Sequence, residues 1–263
     1  MGRTSAIFVI LLVAAMLNSC GNVPGPAGTA STSRPKNTDT PVSLEPYLQE
    51  AALESSTNHE YAEAAAYWGA IYESNPADLN AALQCASNLR YSGNASDAVN
   101  VMSNALKAHP DDLRLLTERG KDYAALGAVE PALEDITKAS AAAQSDWTVH
   151  SAHGVILDRL GRQDEAANAY AKALALSPDN PAVLNNQALS LALSGRHDEA
   201  VEMLRRAIQH PGASPQVRQN LSLLLAMQGD VKQAGQLARA DLPNQMAENN
   251  MVYFEGLSHG ASE

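Results

Sequence analysis

The chain has 263 residues, with 29 acidic against 18 basic side chains, a formal charge of −11 and two cysteines. An acidic balance with no basic stripe argues against a nucleic-acid partner, and two cysteines are too few for a disulfide framework. Aromatic residues make up only 5% of the sequence, so any core must be built from Ala, Leu and other small or aliphatic side chains.

The amino terminus reads as an address. Arg3 is followed by the apolar run Ala6–Leu17, shorter than the roughly 20 residues a membrane-spanning helix needs. A basic start, a short apolar core and small residues before a cut site are the features of a secretory signal, here over residues 1–19. The run closes on Leu17-Asn18-Ser19-Cys20, which resembles the bacterial lipobox. That resemblance implies cleavage before Cys20, lipidation of its sulfur and acylation of the new amino group. Several acyl chains, each gaining about 0.8 kcal/mol per buried methylene, make a firm anchor. Gly21 in place of Asp implies outer-membrane sorting, with the protein on the periplasmic face. The alternative is an ordinary signal peptide in which Cys20 is incidental. From Cys20 to Leu44 the chain is rich in Gly, Pro, Ser and Thr, a composition expected to form a disordered tether.

Beyond the tether the sequence repeats. Gly161-Arg162-Gln163-Asp164-Glu165-Ala166 returns as Gly195-Arg196-His197-Asp198-Glu199-Ala200, a shift of 34 residues. In that frame repeats begin at Glu45, Leu79, Leu113, Trp147, Pro181 and Pro215 and fill residues 45–248 without insertion. Position 8 is always small: Ala52, Ala86, Gly120, Gly154, Ala188 and Ser222. Position 20 is Ala in all six repeats, from Ala64 to Ala234. Position 15 is His59 and then Gly93, Gly127, Gly161, Gly195 and Gly229, where a left-handed residue ends a helix. Asp78, Asp112, Asp146, Asn180 and Ser214 precede new repeats as N-caps. Larger apolar residues at positions 11 and 24, such as Leu157 with Tyr170 and Leu191 with Leu204, give each helix a buried stripe. Gly inside a helix costs about 1 kcal/mol against Ala, so Gly120 and Gly154 are expected where a neighbouring helix approaches closely.

A 34-residue helix-turn-helix period resembles the tetratricopeptide family. The resemblance implies an all-α, right-handed superhelical solenoid of about six repeats. Residues 249–263 follow, with Met251–Leu257 expected to form a short helix over the open end of the array.

No reaction chemistry is legible. There is no phosphate-binding Gly-rich loop, no nucleophile elbow and no zinc-protease motif. His150 and His153 are the only histidines at helical spacing; with no third ligand nearby, packing accounts for them better than a metal. No catalytic residue, metal or cofactor is assigned, and no small-molecule substrate is expected. Cys85, at position 7 of a first helix, is expected to be a buried free thiol.

In tetratricopeptide proteins, positions 2, 5, 9, 12 and 13 of the first helices commonly face a bound peptide. Carried onto this chain, the middle repeats offer Arg90, Arg114, Lys121 and Arg159. The last two offer Asn185, Leu189, Leu193, Gln219, Leu223 and Met227. A basic middle with an apolar, amide-rich end suits an amphipathic or acid-containing peptide. The Lys/Asn clamp that some family members use for a terminal carboxylate is absent: Thr117/Lys121 and Asn185/Leu189 stand at its positions.

A narrower resemblance lies toward the carboxy terminus. Asn185-Asn186-x-Ala188-Leu189-Ser190-Leu191-Ala192 and Gly195-Arg196-x-Asp198-Glu199-Ala200 are followed by Val217-Arg218-Gln219-Asn220-Leu221, Gly229-Asp230 and Asn250-Met251-Val252-Tyr253. Together with lipobox and tether, this set is similar to the TadD family, tetratricopeptide lipoproteins of tight-adherence (Flp) pilus systems. The similarity implies a pilotin-like role, helping the secretin localise or multimerise, with other pilus components as further partners. Two other classes stay open: a general lipoprotein adaptor recruiting periplasmic proteases or cell-wall hydrolases, and an enzyme accessory domain.

Overall fold

The computed structural model describes residues 44–241 and Asn250. The signal segment, Cys20, the tether up to Ser43 and the carboxy-terminal segment including Met251–Leu257 lie outside the described residues. A unit boundary falls between Ser43 and Leu44, and the described helices belong to the second unit.

Each 34-residue period supplies two helices. In chain order they are α1 (Glu45–Thr57), α2 (Tyr61–Ser74), α3 (Leu79–Tyr91), α4 (Ala95–Ala108), α5 (Leu113–Ala125) and α6 (Val129–Ala142). They continue as α7 (Trp147–Arg159), α8 (Gln163–Leu176), α9 (Pro181–Leu193), α10 (His197–Ala207), α11 (Pro215–Met227) and α12 (Val231–Asp241). The described residues contain no strand. The odd-numbered helices all begin at the expected repeat starts. Each packs on the even helix of its own repeat and, from α3 onward, on the even helix before it, and α3, α5, α7, α9 and α11 also pack successively on one another. The all-helical repeat architecture read from the period is the one observed.

The small columns are what allow this packing. Every alanine at position 20 is completely buried, as are Ala52, Ala86 and Ala188 at position 8. Larger side chains fill the space between: Ile71, Met102, Leu115, Ile136, Ile156, Leu184, Leu204 and Leu221 are all buried. At roughly 1.5–3 kcal/mol for each fully buried large aliphatic side chain, they are the main stabilising force of an array with few aromatics.

Local signals set the helix ends. Asp78, Asp112, Asp146 and Asn180 each accept a hydrogen bond from a first-turn amide. Ser214 makes no such bond; Pro215 at the first helical position, which lacks an amide, still fits there. At the turn after α5, Gly127 has φ +75° and the Ala128 amide donates to the Tyr123 carbonyl at 2.9 Å, closing the helix in a Schellman-type motif. His59 holds the same position in the first repeat at φ +64°, a backbone region costly for a residue with a Cβ.

Cys85 is buried against α2, its Sγ 3.5 Å from the Ala65 carbonyl oxygen. Burial, with a smaller effect from Glu73, pushes its thiol up to about 11. It packs as a small hydrophobe and is a poor nucleophile at neutral pH.

Candidate functional site

The successive packing of α3, α5, α7, α9 and α11 places the residues chosen from positions 2, 5, 9, 12 and 13 along adjoining first helices. Their chemistry differs from one end to the other.

In the middle repeats the cations are already engaged. Near the end of α3, Arg90 donates from Nε to Asp122 Oδ1 at 2.9 Å and from Nη2 to Glu118 Oε1, both on α5. Its guanidinium also lies over the Tyr91 ring, 4.8 Å from the centroid. Lys121 reaches the other oxygen of Glu118 at 3.0 Å. Arg114 pairs with Asp112 at 2.7 Å, using the carboxylate that caps its own helix. Arg159 donates to the Ala124 carbonyl at 3.0 Å. The cations of this surface are therefore largely engaged within the protein, three of them by carboxylates and Arg159 by a carbonyl. Of the carboxylates responsible, Glu118 and Asp122 are buried and Asp112 is half-buried, all at positions the column rule does not select.

Burial and pairing compete within this cluster. Burial raises the Glu118 carboxyl, but Lys121 and Arg90 together bring it below the usual range. Asp122 goes the other way: burial, reinforced by the Glu118 charge, pushes it up to about 7 despite Arg90. Its Oδ2 is buried without a partner among the described residues. The two carboxyls sit beside the same arginine, yet only Glu118 has a second cation bonded to it.

In the last repeats, amides join neighbouring helices. Asn220 Nδ2 donates to Asn185 Oδ1 at 2.7 Å, and Gln216 Nε2 donates to Asn220 Oδ1 at 3.0 Å. Asn186 Nδ2 reaches Ser151 Oγ at 3.2 Å. Asn185 thus spends its acceptor on an inter-repeat bond. Leu189, Gln219, Leu223 and Met227 are half-buried and Leu193 is exposed. Leu223 and Met227 rest against the core of the last two repeats, so each has one side committed to packing.

The same position rule applied to the first two repeats gives Leu53 and Tyr91, which the sequence reading passed over. They are among the most exposed large apolar residues described, at 58% and 55%. Tyr91 also stacks on Tyr61 with ring centroids 5.2 Å apart.

His150 and His153 both place Nδ1 3.3 Å from Ser140 Oγ. No group of three or more His, Cys, Asp or Glu side chains comes together at metal-binding spacing among the described residues.

Paired helices in a 34-residue register, closed by left-handed turns and packed through small-residue columns, make a tetratricopeptide-repeat fold. The tetratricopeptide-repeat family model matches residues 85–146 and 151–217, just under half of the chain. The fold is similar to a thermophilic tetratricopeptide protein of Thermus thermophilus. The two share 21% identity and a TM-score of 0.63, with 69% of this chain and 98% of that one covered. It is also similar to a tetratricopeptide protein of Parabacteroides merdae, at 16% identity and a TM-score of 0.55, covering 82% and 89% respectively. None of the curated proteins compared matches the chain. Stacked repeats of this kind present an extended surface formed by successive first helices.

Proposed function

We propose that this protein is an outer-membrane-anchored, periplasmic lipoprotein scaffold of Flp (tight-adherence) pilus assembly, acting on the secretin as a pilotin does. Acylated Cys20 supplies the anchor, residues 20–44 the reach, and the first-helix surface from Asn185 to Met227 the partner contact. The observation that carries the binding role is the adjoining packing of α9 and α11. It sets Leu189, Gln219, Leu223 and Met227, all half-buried, on neighbouring helices, with Leu193 exposed at the end of α9. Half-buried apolar side chains beside satisfied amides suit an amphipathic peptide segment, whose apolar side chains cover the leucines while its polar groups stay in water.

The test is a crosslinking pull-down of the natively lipidated protein from membranes, with the captured proteins identified by mass spectrometry. A secretin recovered with other pilus-assembly components is the expected result. Proteases or cell-wall hydrolases in their place would transfer the protein to the general adaptor class.

A further inference from the structure

Away from the residues chosen on the first helices, two crevices of about 190 and 440 Å³ open where the end of α6 meets α7 and α8, the smaller running along α7 and α8 and the larger toward the end of α8. They share Ser140, His150 and Lys172, and the smaller one adds His153, Asn168 and Glu165. We propose that this cleft binds a small, multiply charged oxyanion of the phosphate class, and that His153 takes up a proton as it binds.

The charge balance favours an anion. Glu165, the one carboxylate lining the smaller crevice, is held by both Arg162 donors at 2.6 Å. Lys172 on α8 has no carboxylate partner among the described residues, although the chain as a whole carries −11. Lys172, the Asn168 amide, the Ser140 hydroxyl and two imidazoles together form a donor set around space that holds an ion and several waters, at about 30 Å³ per water.

The hydrogen bonding explains the proton coupling. Ser140 Oγ meets both Nδ1 atoms at 3.3 Å, but a hydroxyl carries one hydrogen and two acceptor lone pairs. With both rings neutral, Ser140 can donate to at most one Nδ1, so at least one ring is the Nδ1–H tautomer and at most one presents an Nε2–H. With His153 protonated, Ser140 accepts from its Nδ1–H and donates to His150 Nδ1, and both Nε2 atoms become donors. Neither Nε2 has a protein partner among the described residues. Burial lowers the His153 pKa, and the charges of His150, Lys172 and Arg162 lower it further against a small opposing effect of Glu165. A bound dianion reverses the sign of that field, so ligand and proton enter together.

Calorimetric titration of the full chain with inorganic phosphate, at pH 6 and pH 8 in buffers of different ionisation heat, tests this. One site with net proton uptake is expected, weaker at pH 8. K172M and H153Q, with unchanged circular dichroism, should each weaken binding by at least about tenfold, the scale of one charge-assisted hydrogen bond. S140A should bind with reduced proton uptake. Glycerol 1-phosphate titrated in parallel separates a free ion from a headgroup monoester by which of the two binds more tightly. No heat with phosphate at pH 6, binding indifferent to pH, or binding unchanged in K172M and H153Q would overturn the proposal. So would tight uptake of Zn²⁺ without phosphate, which would make the pair a metal site.

Discussion

The ring of Tyr170 fills the space that a side chain at Gly154 would need. A Cβ built on Gly154 would lie 2.6 Å from the ring, closer than real contacts come. The ring has little freedom to give way: Tyr170 is 1% exposed and its hydroxyl donates to Asp158 Oδ2 at 2.7 Å. Asp158 also accepts from Ser190 on α9, so the glycine helps position a link between the fourth and fifth repeats.

Two glycines of one column should therefore respond differently to alanine. At Gly120 a Cβ would meet the Ala132 carbonyl at 3.3 Å and otherwise make ordinary contacts. Alanine gains about 1 kcal/mol of helix propensity at either site, whereas overpacking costs about 1–3 kcal/mol. G154A is expected to lose about 1–2 kcal/mol in urea denaturation, and G120A to stay near wild type. Equal losses at both sites would contradict the assignment of Tyr170 as the cause.

His59 offers the opposite case. It occupies a left-handed turn position that is glycine in the next five repeats. H59G should stabilise the protein by about 0.5–1 kcal/mol, relief of the Cβ clash exceeding the added entropy of the unfolded chain. The same denaturation experiment reads it, and a loss of stability would show that the His59 ring, 5.6 Å from that of Tyr61, contributes more than the turn strain.

Asp122 predicts a pH dependence of definite sign. Its carboxyl is raised on folding from the ordinary 3.8 to about 7, so the native state holds that proton more tightly. Its contribution to stability is complete below about pH 4 and is lost as pH rises through about 7. D122N keeps an acceptor for Arg90 and removes the titration. The variant should gain stability relative to wild type between pH 5 and pH 8, a shift on the order of 1 kcal/mol or more. A constant difference across that range would contradict an uncomfortable buried charge at Asp122.

The repeat frame was legible because it is written six times over. Helix starts, turn glycines and the fully buried alanines fall where the 34-residue columns place them, since each column answers the same packing demand in every repeat. What escaped the columns is specific to single repeats. Arg90 finds Glu118 and Asp122, 28 and 32 residues away, through a pairing across the repeat interface that no periodicity announces. Asn185 is likewise bound to Asn220, 35 residues on. The exposed Leu53 and Tyr91 stand at positions 9 and 13 of the first two repeats, within reach of the position rule. Of the candidate surface, the succession of first helices was readable; which of its polar groups are already occupied was not.

The most direct test of the binding surface compares wild type with the L189E/L223E variant in the membrane crosslinking experiment, with circular dichroism on both. Both leucines are half-buried on adjoining first helices, so a charge at each should spoil an apolar contact without dissolving the repeats. Loss of the secretin from the captured proteins, with helicity retained, is the expected result. Undiminished capture by the variant would contradict the assignment of this face as the contact surface.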